Sequence, residues 1–286
     1  MSSSIIVLVR EWNRACPADF SAHTVAVQRD EWVLVTGASA GIGCALATVF
    51  AANGFNLVLV ARNQSRLSIL AQELANRHQV KTKVLSKDLS MPEAAPQIFD
   101  ELQRDLVEVS ILVNNAGFGL RGAFADGPVG SFAEMVQVNI GALVELTGLF
   151  VPPMLKRGRG RILNLASTAA FEPGPLMAVY YASKAFVFSF SYALAEELSS
   201  SGITVTALCP GPTKTEFQNR AGTNQSPRWA DRWMMDAETV AKMGFDGLMA
   251  GKRVVIPGAI NKLGFVLAKC APTGLAAKVA RRVIEG

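Results

Sequence analysis

Charge, cysteine and histidine are all scarce in this 286-residue chain. Charged residues make up 18% of it and hydrophobic residues 50%, which leaves too little charge for a disordered protein and enough apolar material for a substantial core. The four cysteines, Cys16, Cys44, Cys209 and Cys270, are scattered. They form no C-x-x-C pair and have no histidine at ligand spacing, which argues against a disulfide framework or a metal site. His23 and His78 lie in polar segments and carry no assigned chemistry. No apolar run reaches the ~18 residues that span a bilayer. Ile5 to Val9 is too short for the ~7–15-residue core of a signal peptide, so the chain reads as intracellular and cytoplasmic. Acid is the scarcer charge, with 23 Asp and Glu against 28 Lys and Arg. Most of that imbalance sits at the end, where Lys262, Lys269, Lys278, Arg281 and Arg282 are opposed only by Glu285. The rest lacks a basic face interleaved with aromatic contacts, so nucleic acid is not an expected partner.

From Glu31 onward, short apolar β-branched runs alternate with longer amphipathic ones. The strand candidates are Trp32–Thr36, Asn56–Ala61, Thr82–Ser86, Ile111–Asn114, Arg161–Leu165, Thr204–Cys209 and Val254–Ile256. Helical period fills the gaps, as in Ser65–Arg77 with Leu67, Leu70 and Leu74 on one face. This alternation predicts an α/β fold, a single doubly wound parallel sheet of about seven strands of the Rossmann-like kind. Ligands of such sheets bind beyond the carboxyl ends of the strands. Three regions follow: an extension over 1–30, a catalytic domain over 31–258, and an apolar, basic helical tail over 259–286.

The first strand candidate runs into Thr36-Gly37-Ala38-Ser39-Ala40-Gly41-Ile42-Gly43. Glycines there allow a sharp turn and a close approach to a pyrophosphate, and the following helix N-terminus offers free N–H groups. The spacing is G-x-x-x-G-x-G, and in this form the segment resembles the glycine motif of the short-chain dehydrogenase/reductase family. The resemblance covers roughly Trp32 to Gly258 and implies an oxidoreductase that moves a hydride between a nicotinamide and a carbonyl or alcohol. Gly37, Ser39, Gly41, Ile42 and Gly43 would then line the cofactor's pyrophosphate. Asp88-Leu89 resembles the family's adenine-binding pair, and Asn114-Asn115-Ala116-Gly117 resembles its motif after the fourth strand.

The end of the second strand faces the adenosine ribose in such folds, and an acid there selects NAD. This chain has Val60-Ala61-Arg62-Asn63 instead. Arg62 suits the 2′-phosphate of NADP through charge-assisted hydrogen bonds, so the expected cofactor is NADP(H), with Ser39 as a second phosphate contact.

Carbonyl reduction needs a proton donor. A free tyrosine of pKa ~10 becomes more useful beside an ammonium, and residues four apart share a helix face. Tyr180-Tyr181-Ala182-Ser183-Lys184 resembles the family's Tyr-x-Ala-Ser-Lys segment, and the spacing selects Tyr180 over Tyr181. By the same resemblance Tyr180 is the acid/base, and Lys184 lowers its pKa while holding the nicotinamide ribose. Ser167 would bind the substrate oxygen, and Asn139 would position a relay water. Pro210-Gly211 resembles the segment flanking the nicotinamide, with Thr213 and Thr215 as carboxamide contacts.

After that turn, Lys214 to Asp236 corresponds to a substrate lid and carries Phe217, Trp229, Trp233, Met234 and Met235. These side chains either line an apolar pocket or pack the lid onto the body. The expected partners are a small carbonyl or alcohol substrate and a second or further copies in a homodimer or homotetramer. The tail suits either packing on the body or another subunit, or peripheral contact with an anionic membrane. Two rival functions were weighed. A cofactor-binding sensor would not need Ser167, Tyr180 and Lys184 together. Epimerases and dehydratases of related fold differ in glycine spacing and in the length of the substrate region.

Overall fold

The computed structural model describes residues 30–222 and 234–285; Cys16, His23, Trp229 and Trp233 lie outside them. The apolar runs form strands where they were expected, since nearly every residue of β1 (Trp32–Thr36), β2 (Asn56–Ala61) and β4 (Val109–Asn114) is buried. With β3 (Thr82–Ser86), β5 (Gly160–Leu165), β6 (Ile203–Leu208) and the short β9 (Val254–Val255), they build a parallel seven-stranded sheet in the order β3-β2-β1-β4-β5-β6-β9. The order reverses between β1 and β4, the switch point at which such sheets open a crevice. β4 begins two residues before its apolar run because Val109 pairs with Trp32 across a register shift.

One face of the sheet is covered by α1 (Gly41–Ala52), α2 (Gln64–His78) and α8 (Ala237–Met249), where Phe50 meets Phe55 and Phe245 edge to face. Helix α2 starts where the Asn63 side chain accepts from the Arg66 N–H at 2.9 Å, and α8 where Asp236 accepts from Thr239. The other face is covered by α3 (Ala94–Arg104), α5 (Ala142–Arg157) and α6 (Ala178–Glu197).

Helix α5 continues α4 (Val129–Val136) through a π-turn at Gln137–Gly141. Although no unbroken apolar run is that long, this 29-residue helix, Val129–Arg157, with a mean hydropathy of 1.5 in its most apolar window, is long and apolar enough to cross a membrane. Its Leu146, Phe150 and Met154 are buried against the sheet and α3, as in a core helix. After β6 come β7 (Thr213–Lys214) and α7 (Phe217–Ala221), and β8 (Met235–Asp236) pairs in parallel with β7. Helices α9 (Ala259–Cys270) and α10 (Thr273–Glu285) end the described chain.

Candidate active site

The glycine turn lies between β1 and α1, at the carboxyl edge of the sheet beside the switch point. Gly37 has φ +65°, which only glycine adopts without strain. A Cβ on Gly43 would sit 2.3 Å from both the Gly37 carbonyl and Asn115 Nδ2. The turn is held from behind. Asn115 Nδ2 donates to the Thr36 carbonyl at 2.8 Å, and Thr36 Oγ1 accepts from the N–H groups of Asn115 and Ala116 at 2.9 and 3.0 Å. The side chain of Asn115 therefore braces the turn through its Nδ2, a role for Thr36 and Asn115 that sequence spacing did not reveal. Ala40 ends the turn without a capping side chain, which leaves the first N–H groups of α1 for an anion. Ser39, Gly41 and Ile42 are partly exposed in this cradle. Its backbone suits a pyrophosphate, because no side chain caps the first N–H groups of α1.

At the adenosine side, Arg62 follows β2 and is exposed, with Asp88 Oδ2 at 3.8 Å and Glu134 Oε1 at 3.6 Å. The other Asp88 oxygen accepts from the Ser90 N–H and hydroxyl at 3.0 and 2.8 Å, and Leu89 is buried. One helical turn on, Arg66 grips both oxygens of Glu216 at 2.9 and 3.0 Å. That pair ties α2 to the segment after β7 and had no sequence signature, since its members are 150 residues apart.

The residues expected to carry the chemistry lie after β5 and on α6, at the same carboxyl edge of the sheet. Ser167 ends β5 and opens a 3-10 turn, where its Oγ accepts from the Ala169 N–H at 3.1 Å and donates to the Pro210 carbonyl at 3.4 Å. The same hydroxyl lies beside that of Tyr180, whose pKa it lowers. Tyr181, by contrast, turns its ring towards Gly174 and Glu172. Tyr180, the tyrosine that the spacing selects, is thus the one beside Ser167. Lys184 is only 4% exposed, and its ammonium donates to the Leu165 carbonyl at 2.8 Å. A Cβ on Gly117 would stand 3.4 Å from that ammonium.

Burial shapes both ionisable groups. It pushes the Tyr180 hydroxyl up to about 12, the Ser167 hydroxyl opposing it, and it pulls Lys184 down to about 8. The expected lowering of Tyr180 by Lys184 does not appear. The ammonium stands 5.9 Å from the ring centre and is directed at a carbonyl, so desolvation outweighs it. Tyr180 is accordingly protonated at neutral pH, the form that donates.

Asn139 sits in the π-turn, a distortion that recurs at functional sites. Its Oδ1 accepts from the Phe118 N–H, and its Nδ2 donates to the Phe118 carbonyl and to Ser183 Oγ, all at 3.0 Å. That uses both amide hydrogens, so the side chain positions the β4 loop and the catalytic helix and has no hydrogen left to donate to a water. Ser183 in turn donates to the Tyr180 carbonyl at 2.7 Å. Below lies a buried polar cluster missed in the sequence, in which Asn114 donates to Thr147 and Asn164, and Asn164 donates to Ser191.

Pro210 is buried, and a Cβ on Gly211 would clash with Asn261 of α9. Thr213 Oγ1 donates to the Gly211 carbonyl at 2.9 Å, and Thr215 packs its methyl over Gly41. Phe217 stacks at a tilt on Tyr180, 5.3 Å between centres, and with Met177 crowds Gly119. Phe217 and Met177 thus place apolar surface beside the Tyr180 ring.

Comparison with known proteins places the chain in a family. The model of the short chain dehydrogenase family matches residues 31–226. The chain belongs to the short chain dehydrogenase family. A sulfoacetaldehyde reductase of Chromohalobacter salexigens is 39% identical over 74% of this chain and 86% of that protein. A very-long-chain 3-oxoacyl-CoA reductase of Phaeosphaeria nodorum is 38% identical over 62% of the chain, which spans only 53% of that longer relative. A short-chain dehydrogenase from Sphingobium yanoikuyae in complex with NADPH superposes with a TM-score of 0.75 at 35% identity, over 80% of this chain and 88% of the other. The family is one of oxidoreductases acting on carbonyl and alcohol groups, and the fold assigned from the alternation of runs is that of its solved members.

Proposed function

We propose that this chain is an NADP(H)-dependent reductase of apolar ketones or aldehydes, working reversibly on the corresponding alcohols. The observation that carries the reading is the pairing of the Ser167 and Tyr180 side chains beside a buried Lys184, at the same sheet edge as the glycine turn. NADPH, when bound, supplies the hydride. Ser167 and Tyr180 hold the substrate oxygen, and the Tyr180 hydroxyl gives it a proton as negative charge develops there. Lys184, fixed by the Leu165 carbonyl, is placed to hold the ribose. Asn139 acts as a positioning residue through Phe118 and Ser183. Gly37, Gly41 and Gly43 admit the pyrophosphate, and Arg62 receives the 2′-phosphate by exchanging Asp88 and Glu134 for a stronger anion.

The two relatives above are named for substrates of opposite character, a small sulfonate and a very long acyl chain, so similarity does not choose between them. What supports apolar groups is the pair Phe217 and Met177, which meet at Gly119 beside the Tyr180 ring. The exposed Val136, Val144, Phe186 and Tyr192 on α4 to α6 support self-association into a homodimer or homotetramer, and dependence on NADP(H) supports a place inside the cell. The test is NADPH oxidation across aliphatic, aromatic and steroid ketones, 3-ketoacyl thioesters and sulfoacetaldehyde. Turnover concentrated on the apolar members is expected. Tight NADPH binding without turnover on any of them would mark a sensor instead.

A further inference from the structure

The two terminal helices are built unlike the rest of the surface. In α9, Ile260, Leu263 and Leu267 recur at spacings of three and four, and each is more than half exposed. In α10, Leu275, Val279 and Val283 recur every four residues, each half or more exposed. The opposite sides do the packing. Phe265 is buried against Phe171 at 4.4 Å between ring centres, and Ala276 and Ala280 are buried in α10. Each helix thus has a buried inner side and an outer apolar stripe open to water, more than a soluble surface ordinarily shows.

Charge distinguishes the occupants this surface would accept. Helical spacing places Lys278 and Arg282 along one flank of the α10 stripe, while Arg281 is taken up by Glu285 at 2.7 Å. With Lys262 and Lys269 in α9, the two helices carry five cations against one acid. A second copy docking through this face by a two-fold axis would set like charges against like. An anionic bilayer instead takes up the apolar stripe and neutralises the cations together.

We infer that the outer face of α9 and α10 docks this protein onto an anionic phospholipid surface, lying in the interface plane without spanning it. The docking is independent of the substrate reading, although Phe265 and Asn261 tie α9 to the catalytic edge through Phe171 and Gly211.

The full-length protein should co-sediment with phosphatidylglycerol-containing vesicles and not with phosphatidylcholine alone. It should be released at ~1 M salt, where screening shortens to about 3 Å. Lys278→Gln with Arg282→Gln should lower the partition coefficient about 30-fold, taking about 1 kcal/mol for each cation near an anionic surface. Leu275→Ser with Val279→Ser and Val283→Ser should abolish retention while leaving the circular dichroism melt and NADPH turnover in solution unchanged. No retention of the wild type, equal retention by both vesicle types, or an unchanged partition for the Gln variant would overturn the proposal. So would light scattering in which the Ser variant turns an oligomer into monomers, since the occupant would then be a second copy.

Discussion

The proposed catalytic end, at Tyr180 and Lys184, and the proposed adenosine end, at Arg62, are held by different physics. At the catalytic end, Lys184, Asn139 and Ser183 are buried, and their polar atoms are bonded to fixed backbone or to one another. At the adenosine end, Arg62 and Arg66 stand in solvent, their side chains 62% and 48% exposed, and pair with carboxylates across loops. Buried groups lose a full desolvation penalty when a partner goes. Exposed ion pairs exchange partners at little cost. The difference teaches that chemistry should be all or nothing at one end and cofactor preference adjustable at the other.

The largest test of that contrast is the tyrosine pair. Tyr180→Phe should reduce kcat by about 10²- to 10⁴-fold, the usual worth of a positioned proton donor, whereas Tyr181→Phe should change it little. Near-normal turnover of the first variant would move the proton chemistry elsewhere.

Next comes the buried ammonium. The unfolded chain keeps the Lys184 proton up to 10.5 and the folded chain only to about 8. Between those values the unfolded state binds more protons, so this group's contribution to stability rises with pH across that window. Urea unfolding at pH 7.5 and pH 10 should show the wild type gaining up to about 3 kcal/mol relative to Lys184→Met. Parallel curves for the two proteins would show that Lys184 is solvated after all.

A smaller effect is expected at Arg62. Ala61→Asp with Arg62→Ala should weaken NADPH binding by about 10- to 100-fold, the range for a lost hydrogen bond to a charged group, and shift preference towards NADH. Titration by fluorescence with both cofactors would measure it, and an unchanged ratio would remove Arg62 from the phosphate site. The smallest change belongs to the Arg66–Glu216 pair. Glu216→Gln should alter KM for NADPH by less than about fivefold, and high salt should erase the difference. A larger, salt-resistant change would mean that the adenosine end is as rigid as the catalytic one.

Much of this was legible before any coordinates. Strands β1 and β2 begin and end where their largely apolar runs do, because a strand covered on both faces needs such a stretch and ends where it ends. The glycine turn and the Tyr180–Lys184 spacing were equally readable, being local: a turn and one helical face span few residues. What spacing could not supply were partners set by topology. Asn115 reaches back to Thr36, Asn139 to Phe118, and Arg66 to Glu216, across 79, 21 and 150 residues. No short pattern encodes such meetings. They arise because the strand order brings the loops after β1, β4, β5 and β6 to one edge.

The tyrosine–lysine spacing, read alone, also suggested a lowered phenol pKa, and it stays raised because burial and the direction of the ammonium are properties of packing. Sequence by itself therefore determined the fold class, the cradle and which tyrosine stands four residues before Lys184, all consequences of local period and residue size. Tertiary structure alone decided which polar atoms are satisfied, which charges are dry and which apolar stripe remains outside, because each depends on what the rest of the chain places beside it.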